Sequence, residues 1–137
     1  MTFRSERQLL DPVSAFLARQ RFPIQDAEIP FYESRIDLYG YSEDQHLTLA
    51  VELKLKNWQR ALKQALLYQL CSDLTYIAMP LAATRNVDRE LLAAQGIGLI
   101  GVGDSGRCRV LVPAELSPET RSHYKEAYVA FLKGRSG

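Results

Sequence analysis

Apolar and polar residues alternate without a break from Leu47 to Lys56. Leu47, Leu49, Val51, Leu53 and Leu55 share one parity; Thr48, Ala50, Glu52, Lys54 and Lys56 share the other. A period of two marks a strand with one buried and one open face. The open face then carries Glu52, Lys54 and Lys56 in a row. The shorter run Arg35–Tyr41 alternates as well, with Ile36 and Leu38 on one side and Arg35, Asp37 and Tyr39 on the other. Paired as neighbours, the two strands bring Asp37, Glu52 and Lys54 to one patch of a rigid sheet.

The rest of the chain supplies elements around this pair. Ser5-Glu6-Arg7-Gln8 has the form of a capping box, and Leu9, Val13, Phe16 and Leu17 follow at helical spacing. Pro12 either kinks this helix or opens it behind Asp11, so one kinked element over residues 5–20 is expected. Phe22–Phe31 reads as a strand with Pro30 near its end, and Ser42–Gln45 as a polar turn. Asn57 caps a helix over Trp58–Ser72 whose buried stripe is Ala61, Leu62, Ala65, Leu66 and Leu70. Leu74–Met79 is a short apolar strand closed by Pro80.

Asn86–Glu90 opens a further helix with acids in its first turn, and Gly96 ends it in the left-handed conformation. Ile97–Val102 and Arg109–Val112 pair across the Gly103–Gly106 turn. The last helix starts at Ser117-Pro118-Glu119 and runs to Lys133, with Tyr124, Ala127, Tyr128, Phe131 and Leu132 as its stripe and Gly134–Gly137 as a loose tail. Helix, three strands, helix, strand, helix, two strands, helix is the order of an α/β domain, with a central mixed sheet flanked by helices.

Composition narrows the function classes. A chain of 137 residues, 47% apolar and 24% charged, is one domain with a single core. Its net charge of +1 supplies no overall basic field, so any nucleic-acid partner must be read from a local patch. Cys71 and Cys108 form no metal pattern and read as buried thiols in a reducing compartment. The N-terminus carries no signal-peptide core and no run approaches membrane-spanning length; a cytoplasmic protein without a membrane partner is expected. The glycines of Gly96–Gly103 have the wrong flanking order for a phosphate loop and read as helix end, strand and turn.

Two carboxylates and an ammonium on one sheet patch make a candidate divalent-cation site. Hydrolysis of a phosphodiester requires charge neutralisation at the phosphate and an activated water, and bound Mg²⁺ supplies both. Asp37 and Glu52 are the candidate carboxylates, with Lys54 placed to stabilise developing charge or orient the water. A Glu-x-Lys triplet alone is common on exposed strands; the order of elements around this one gives it weight. His46 and His123 have no partner at motif distance, and Trp58 reads as a packing anchor.

Asp37 in Arg35-Ile-Asp-Leu38, Glu52-Leu53-Lys54 at the end of an apolar strand, and Gln64-Ala-Leu-Leu-Tyr68 on the next helix together resemble the PD-(D/E)xK nuclease superfamily. Ile36 stands where the superfamily name has proline. The resemblance covers about 100 residues (core 5–106); the strand and amphipathic helix of 107–133 are additions to it. It implies a restriction-endonuclease-like core of helix, three strands, helix and strand. It also implies metal ligation by Asp37, Glu52 and the Leu53 carbonyl, and Lys54 as the catalytic lysine. Glu6 takes the place of the first-helix acid that joins the metal site in several branches, although the helix dipole alone also accounts for an acid there.

Gln64 and Tyr68 resemble the glutamine–tyrosine motif of the RecB-like branch, Gln64 on the catalytic side and Tyr68 toward substrate. With Arg60 they are spaced to line one stripe of the helix. Arg60 and Lys56 are candidate phosphate contacts or plain solvated charges. The expectation is a Mg²⁺-dependent endonuclease-like domain (Mn²⁺ substituting) acting on nucleic acid, DNA in particular. The alternatives are an inactive nuclease fold serving DNA binding or assembly, with a candidate homodimer interface on the Ser117–Lys133 helix, and a plain α/β interaction module.

Overall fold

The computed structural model describes residues 3–136. Six strands form one open sheet in chain order: β1 (Ile24–Phe31), β2 (Ser34–Ser42), β3 (Leu47–Leu53), β4 (Leu74–Pro80), β5 (Gly98–Val102) and β6 (Cys108–Val112). The β1–β2, β2–β3 and β5–β6 pairs are antiparallel; β3–β4 and β4–β5 are parallel. Parallel neighbours require crossovers, supplied by α2 (Trp58–Tyr68) and by α3 (Arg89–Ala94) behind a 3-10 turn at Leu81–Asn86. The mixed α/β sheet expected from the element order is what the chain forms.

Each face of the sheet buries its own cluster. Leu9, Val13 and Leu17, from the N-terminal segment and α1 (Leu10–Arg19), pack on Leu38, Leu49, Val51 and Ile100. On the opposite face Ala61, Leu62 and Ala65 of α2 pack on Ile77, Met79 and Leu99. Beside them Tyr39, Ala50 and Tyr68 pack with Leu132 of α4 (Ser122–Ser136). β3 is therefore covered on both sides, which corrects the one-sided reading. Thr48 and Ala50, expected on an open face, are fully buried, and Glu52 is only 4% exposed.

Several boundaries differ for local reasons. Pro12 sits in the first turn of α1, where its missing N–H is not needed, and a 3-10 turn at Glu6–Leu9 precedes it in place of a kink. The Gln8 side chain does reach back, accepting from the backbone N–H groups of Arg4 (2.6 Å) and Ser5 (3.4 Å). β3 ends at Leu53, so Lys54 and Lys56 lie in the connection to α2 instead of on a strand face. α2 stops at Tyr68, four residues short of Ser72, and Tyr68 takes a place in the buried set expected for Leu66 and Leu70.

Gly96, at φ 74, ends α3 as expected, and Gly106, at φ 89, completes the β5–β6 turn. Ser117 does not start the last helix. Its hydroxyl donates to the Gln69 carbonyl at 3.1 Å and accepts from Glu119 N, tying the 113–121 segment to the end of α2. α4 begins at Ser122 and continues to Ser136, past the expected end at Lys133. Its inward residues are Tyr124, Tyr128, Val129 and Leu132, whereas Ala127 and Phe131 of the expected stripe are exposed.

Lys125, on the same inward side, reaches Asp73 at 2.7 Å; Asp73 also accepts from the Thr48 N–H and hydroxyl. Both cysteines are free and buried, and burial raises the Cys71 thiol to about 12. No helix among the described residues is long and apolar enough to cross a membrane.

Candidate functional site

The site forms where β2 and β3 part. Their registered pairing runs from Ser42↔Leu47 to Leu38↔Val51. Two residues further the ladder is replaced by a side chain: the Leu53 N–H donates to Asp37 Oδ2 at 2.8 Å. A backbone donor that would otherwise be orphaned at the fork is thereby satisfied, and the Asp37 carboxyl is fixed in place. The partner strand is also irregular here. Glu28 falls between the pairs Ala27↔Leu38 and Ile29↔Ile36 and has a left-handed φ of 55. The pleat is interrupted, and Ile36 joins the Tyr39 cluster, not the Leu38 side that strict alternation assigns it.

Glu52 approaches the same point from the α2 face. Its Oε1 accepts from the Tyr68 hydroxyl at 2.9 Å, and that hydroxyl also lies 2.7 Å from the Arg35 carbonyl. Tyr68 thus ties α2 to both strands of the fork. Its ring is fully buried and its hydroxyl is turned to Glu52 and Arg35, where the sequence reading set it toward substrate.

Electrostatics at the fork follow from crowding. Burial, and then the adjacent Asp37 charge, raise the Glu52 carboxyl to about 8. Burial also raises Asp37, against the lowering by the Leu53 N–H and its contact with Glu52. Lys54 lowers both, and Glu6 raises Asp37. Lys54 is 16% exposed in its side chain and lies 4.0 Å from Glu6, itself half exposed. Its backbone N–H still donates to Ala78, which holds it beside β4 after the strand ends.

Asp37, Glu52, Leu53 and Lys54 are therefore brought together. Glu6 comes near through Lys54 and lines a shallow pocket of about 220 Å³ with Arg7, Leu10, Glu28, Asp37 and Leu53. Among the described residues no group of three His, Cys, Asp or Glu side chains is arranged to hold a metal ion; Asp37 and Glu52 meet, and Glu6 reaches them through Lys54. Lys56 and Arg60 are exposed on the connection and on the first turn of α2. Gln64, one turn before Tyr68, presents a buried Oε1 without a hydrogen-bond partner among the described residues.

Glu28 and Arg7, 3.9 Å apart, were not singled out by the sequence. Only the strand register sets Glu28 beside Asp37, and nothing in a glutamate codon position signals a left-handed backbone.

The donor set suits a small hard cation. Two adjacent carboxylates with burial against both their charges are a pair that a cation or a proton must neutralise. Mg²⁺ takes one or two protein carboxylates and keeps several waters, which a two-acid site with a backbone carbonyl allows. The orphaned Gln64 oxygen leaves an acceptor in the same helix–strand layer for a bound water or an ammonium.

No protein-family model matches the chain, and no curated protein matches it at a significant level. Among solved structures it is similar to a protein of unknown function from Silicibacter pomeroyi, with a TM-score of 0.74 at 17% identity. The alignment covers 99% of this chain and 88% of the other, so the likeness extends through the whole fold, including the C-terminal strand and helix.

Proposed function

We propose that this protein is a Mg²⁺-dependent nuclease that hydrolyses phosphodiester bonds of nucleic acid, DNA in particular, on a restriction-endonuclease-like core. The observation that carries the reading is the convergence of Asp37 and Glu52 at the β2–β3 fork with Lys54 beside them. It is the constellation that the PD-(D/E)xK resemblance implies, reached from residues 15 apart in sequence on neighbouring strands.

Asp37, Glu52 and the Leu53 carbonyl would hold the metal; when bound, it neutralises phosphate charge and acidifies a water. Asp37 is fixed by the Leu53 N–H and Glu52 by Tyr68, so both carboxyls are pre-positioned and little order is lost on ligand binding. Lys54, mostly shielded from solvent, places a positive charge where the phosphorane's negative charge develops. Gln64 Oε1, buried without a partner among the described residues, would accept a hydrogen bond from the attacking water or from the Lys54 ammonium and hold it in line. Lys56 and Arg60, exposed on the approach, contact neighbouring phosphates.

The test combines Mn²⁺ titration calorimetry with a plasmid-nicking assay, on the parent and on Asp37→Ala. The reading requires metal binding and nicking in the parent and neither in the variant. A parent that binds no divalent cation would sink it and leave an interaction module in its place.

A further inference from the structure

The β1–β2 hairpin turns through Tyr32 and Glu33, directly before the strand that carries Asp37. Tyr32 is 64% exposed, although a tyrosine is ordinarily at least half buried, and it occupies the turn at φ 55, a backbone region that suits glycine or asparagine. The ring is nevertheless held in place. Its hydroxyl meets that of Tyr124, and it packs edge-to-face with Phe31 (centroids 4.7 Å apart) and Tyr124 (6.0 Å). Tyr124 is braced in turn by Phe31 at 5.3 Å and by the His123 ring at 4.2 Å. An aromatic surface is thus framed rigidly and left open to solvent.

Its position ties it to the fork. Arg35, three residues on, gives the carbonyl that receives the Tyr68 hydroxyl, and Asp37 follows two residues later. Five residue steps of strand span at most about 17 Å. The Arg35 side chain on β2 and the Arg121 side chain just before α4 are exposed, and both suit a polyanion. Glu33, exposed at the tip itself, repels a phosphate there, so the tip suits the face of a base.

We propose that Tyr32, framed by Tyr124, is a stacking platform for an unpaired nucleobase, and that the strand reaching the site is single-stranded or frayed at that point. In a closed duplex the base faces are occupied by their neighbours and cannot meet a side-chain ring. The inference rests on the nuclease reading for the class of substrate, and its test is kept separate from cleavage.

Binding is measured by fluorescence anisotropy in EDTA, with a labelled oligothymidylate and a blunt duplex of equal length. The parent binds the single strand more tightly than the duplex. Tyr32→Ala weakens single-strand binding by about 5- to 150-fold, the range for loss of one stacked base, and leaves duplex binding unchanged. Tyr32→Phe and Tyr32→Trp, which keep a ring and report on folding at the same position, retain binding.

Unchanged binding in Tyr32→Ala overturns the platform, and so does a loss in Tyr32→Phe as large as in Tyr32→Ala. A parent that sediments as a dimer, dissociated by Tyr32→Ala, overturns it in favour of an interface between copies. Cleavage with Mg²⁺ is then scored on both substrates. Single-strand cleavage at equal rates by parent and Tyr32→Ala overturns the platform and leaves the nuclease reading standing. Tyr32-dependent single-strand binding without any cleavage supports the platform and removes the nuclease reading alone.

Discussion

Replacing Glu52 by Gln is expected to stabilise the metal-free protein while removing the proposed metal binding and nicking. The folded carboxyl is raised to about 8 from an ordinary 4.5, first by burial and next by Asp37. Below pH 4.5 both folded and unfolded chains carry the proton, and Glu52 contributes no pH dependence. As pH rises from there to about 8, the unfolded chain loses the proton and the folded one keeps it, so stability falls throughout that window. At pH 7 the loss has a ceiling of about 3 kcal/mol, and relaxation with water entry brings the expected value to about 1–2 kcal/mol. The amide is a permanent form of the protonated acid. It keeps an oxygen for Tyr68 and has an N–H for Asp37, so nothing is left unpaired. The assay is thermal unfolding in EDTA from pH 5 to pH 8.5. The parent midpoint should fall with pH relative to the variant, and at pH 7 Glu52→Gln should melt roughly 3–8 °C higher. Mg²⁺ should raise the parent midpoint and leave the variant unmoved. Equal pH slopes in the two proteins would refute the reasoning, because a carboxylate already ionised in the fold produces no such difference.

Four further outcomes follow from named contacts. Because the buried acid must lose its proton to hold a cation, Mn²⁺ affinity should rise with pH by up to about tenfold per unit between pH 6 and 8, read by calorimetry. Lys54→Met should lower nicking by about 10²-fold or more while leaving Mn²⁺ affinity within a few-fold, since the ammonium acts on charge that develops in the reaction. Tyr68→Phe removes the hydroxyl shared by Glu52 and the Arg35 carbonyl, and should weaken Mn²⁺ by about 10- to 100-fold. Gly98→Ala sets a methyl 2.3 Å from the Tyr76 ring and 2.8 Å from Ala114 N, and should cost about 1–3 kcal/mol in denaturant unfolding without touching the site.

Element types were legible because each rests on a local pattern: period two in β2 and β3, the Asn57 cap that accepts from Arg60, and the Gly96 stop. What the sequence could not show was which polar positions a neighbour would cover. Glu52 read as open because alternation reports two faces and says nothing of α2 lying across the second. Tyr68 read as substrate-side through its likeness to the glutamine–tyrosine motif; its reach to Glu52 and Arg35 depends on the strand fork. The Ser117 start failed because a serine before Pro-Glu is equally good at anchoring a loop, and the carbonyl of Gln69 won it.

The fork explains why burial and chemistry coincide in this chain. A central strand covered on both faces has no room for a charged side chain except where its ladder opens, and β3 opens only past Val51. There the last backbone donor recruits Asp37 from β2, and burial, with Asp37 beside it, raises Glu52. The same local event, one missing rung, therefore positions the first acid, sets it beside the second and leaves Lys54 at the end of the strand near Glu6. A site of this kind needs no loop to assemble it. On the proposed reading a cation would replace the proton there, and the stability of the free protein would then report how well the site is built to bind one.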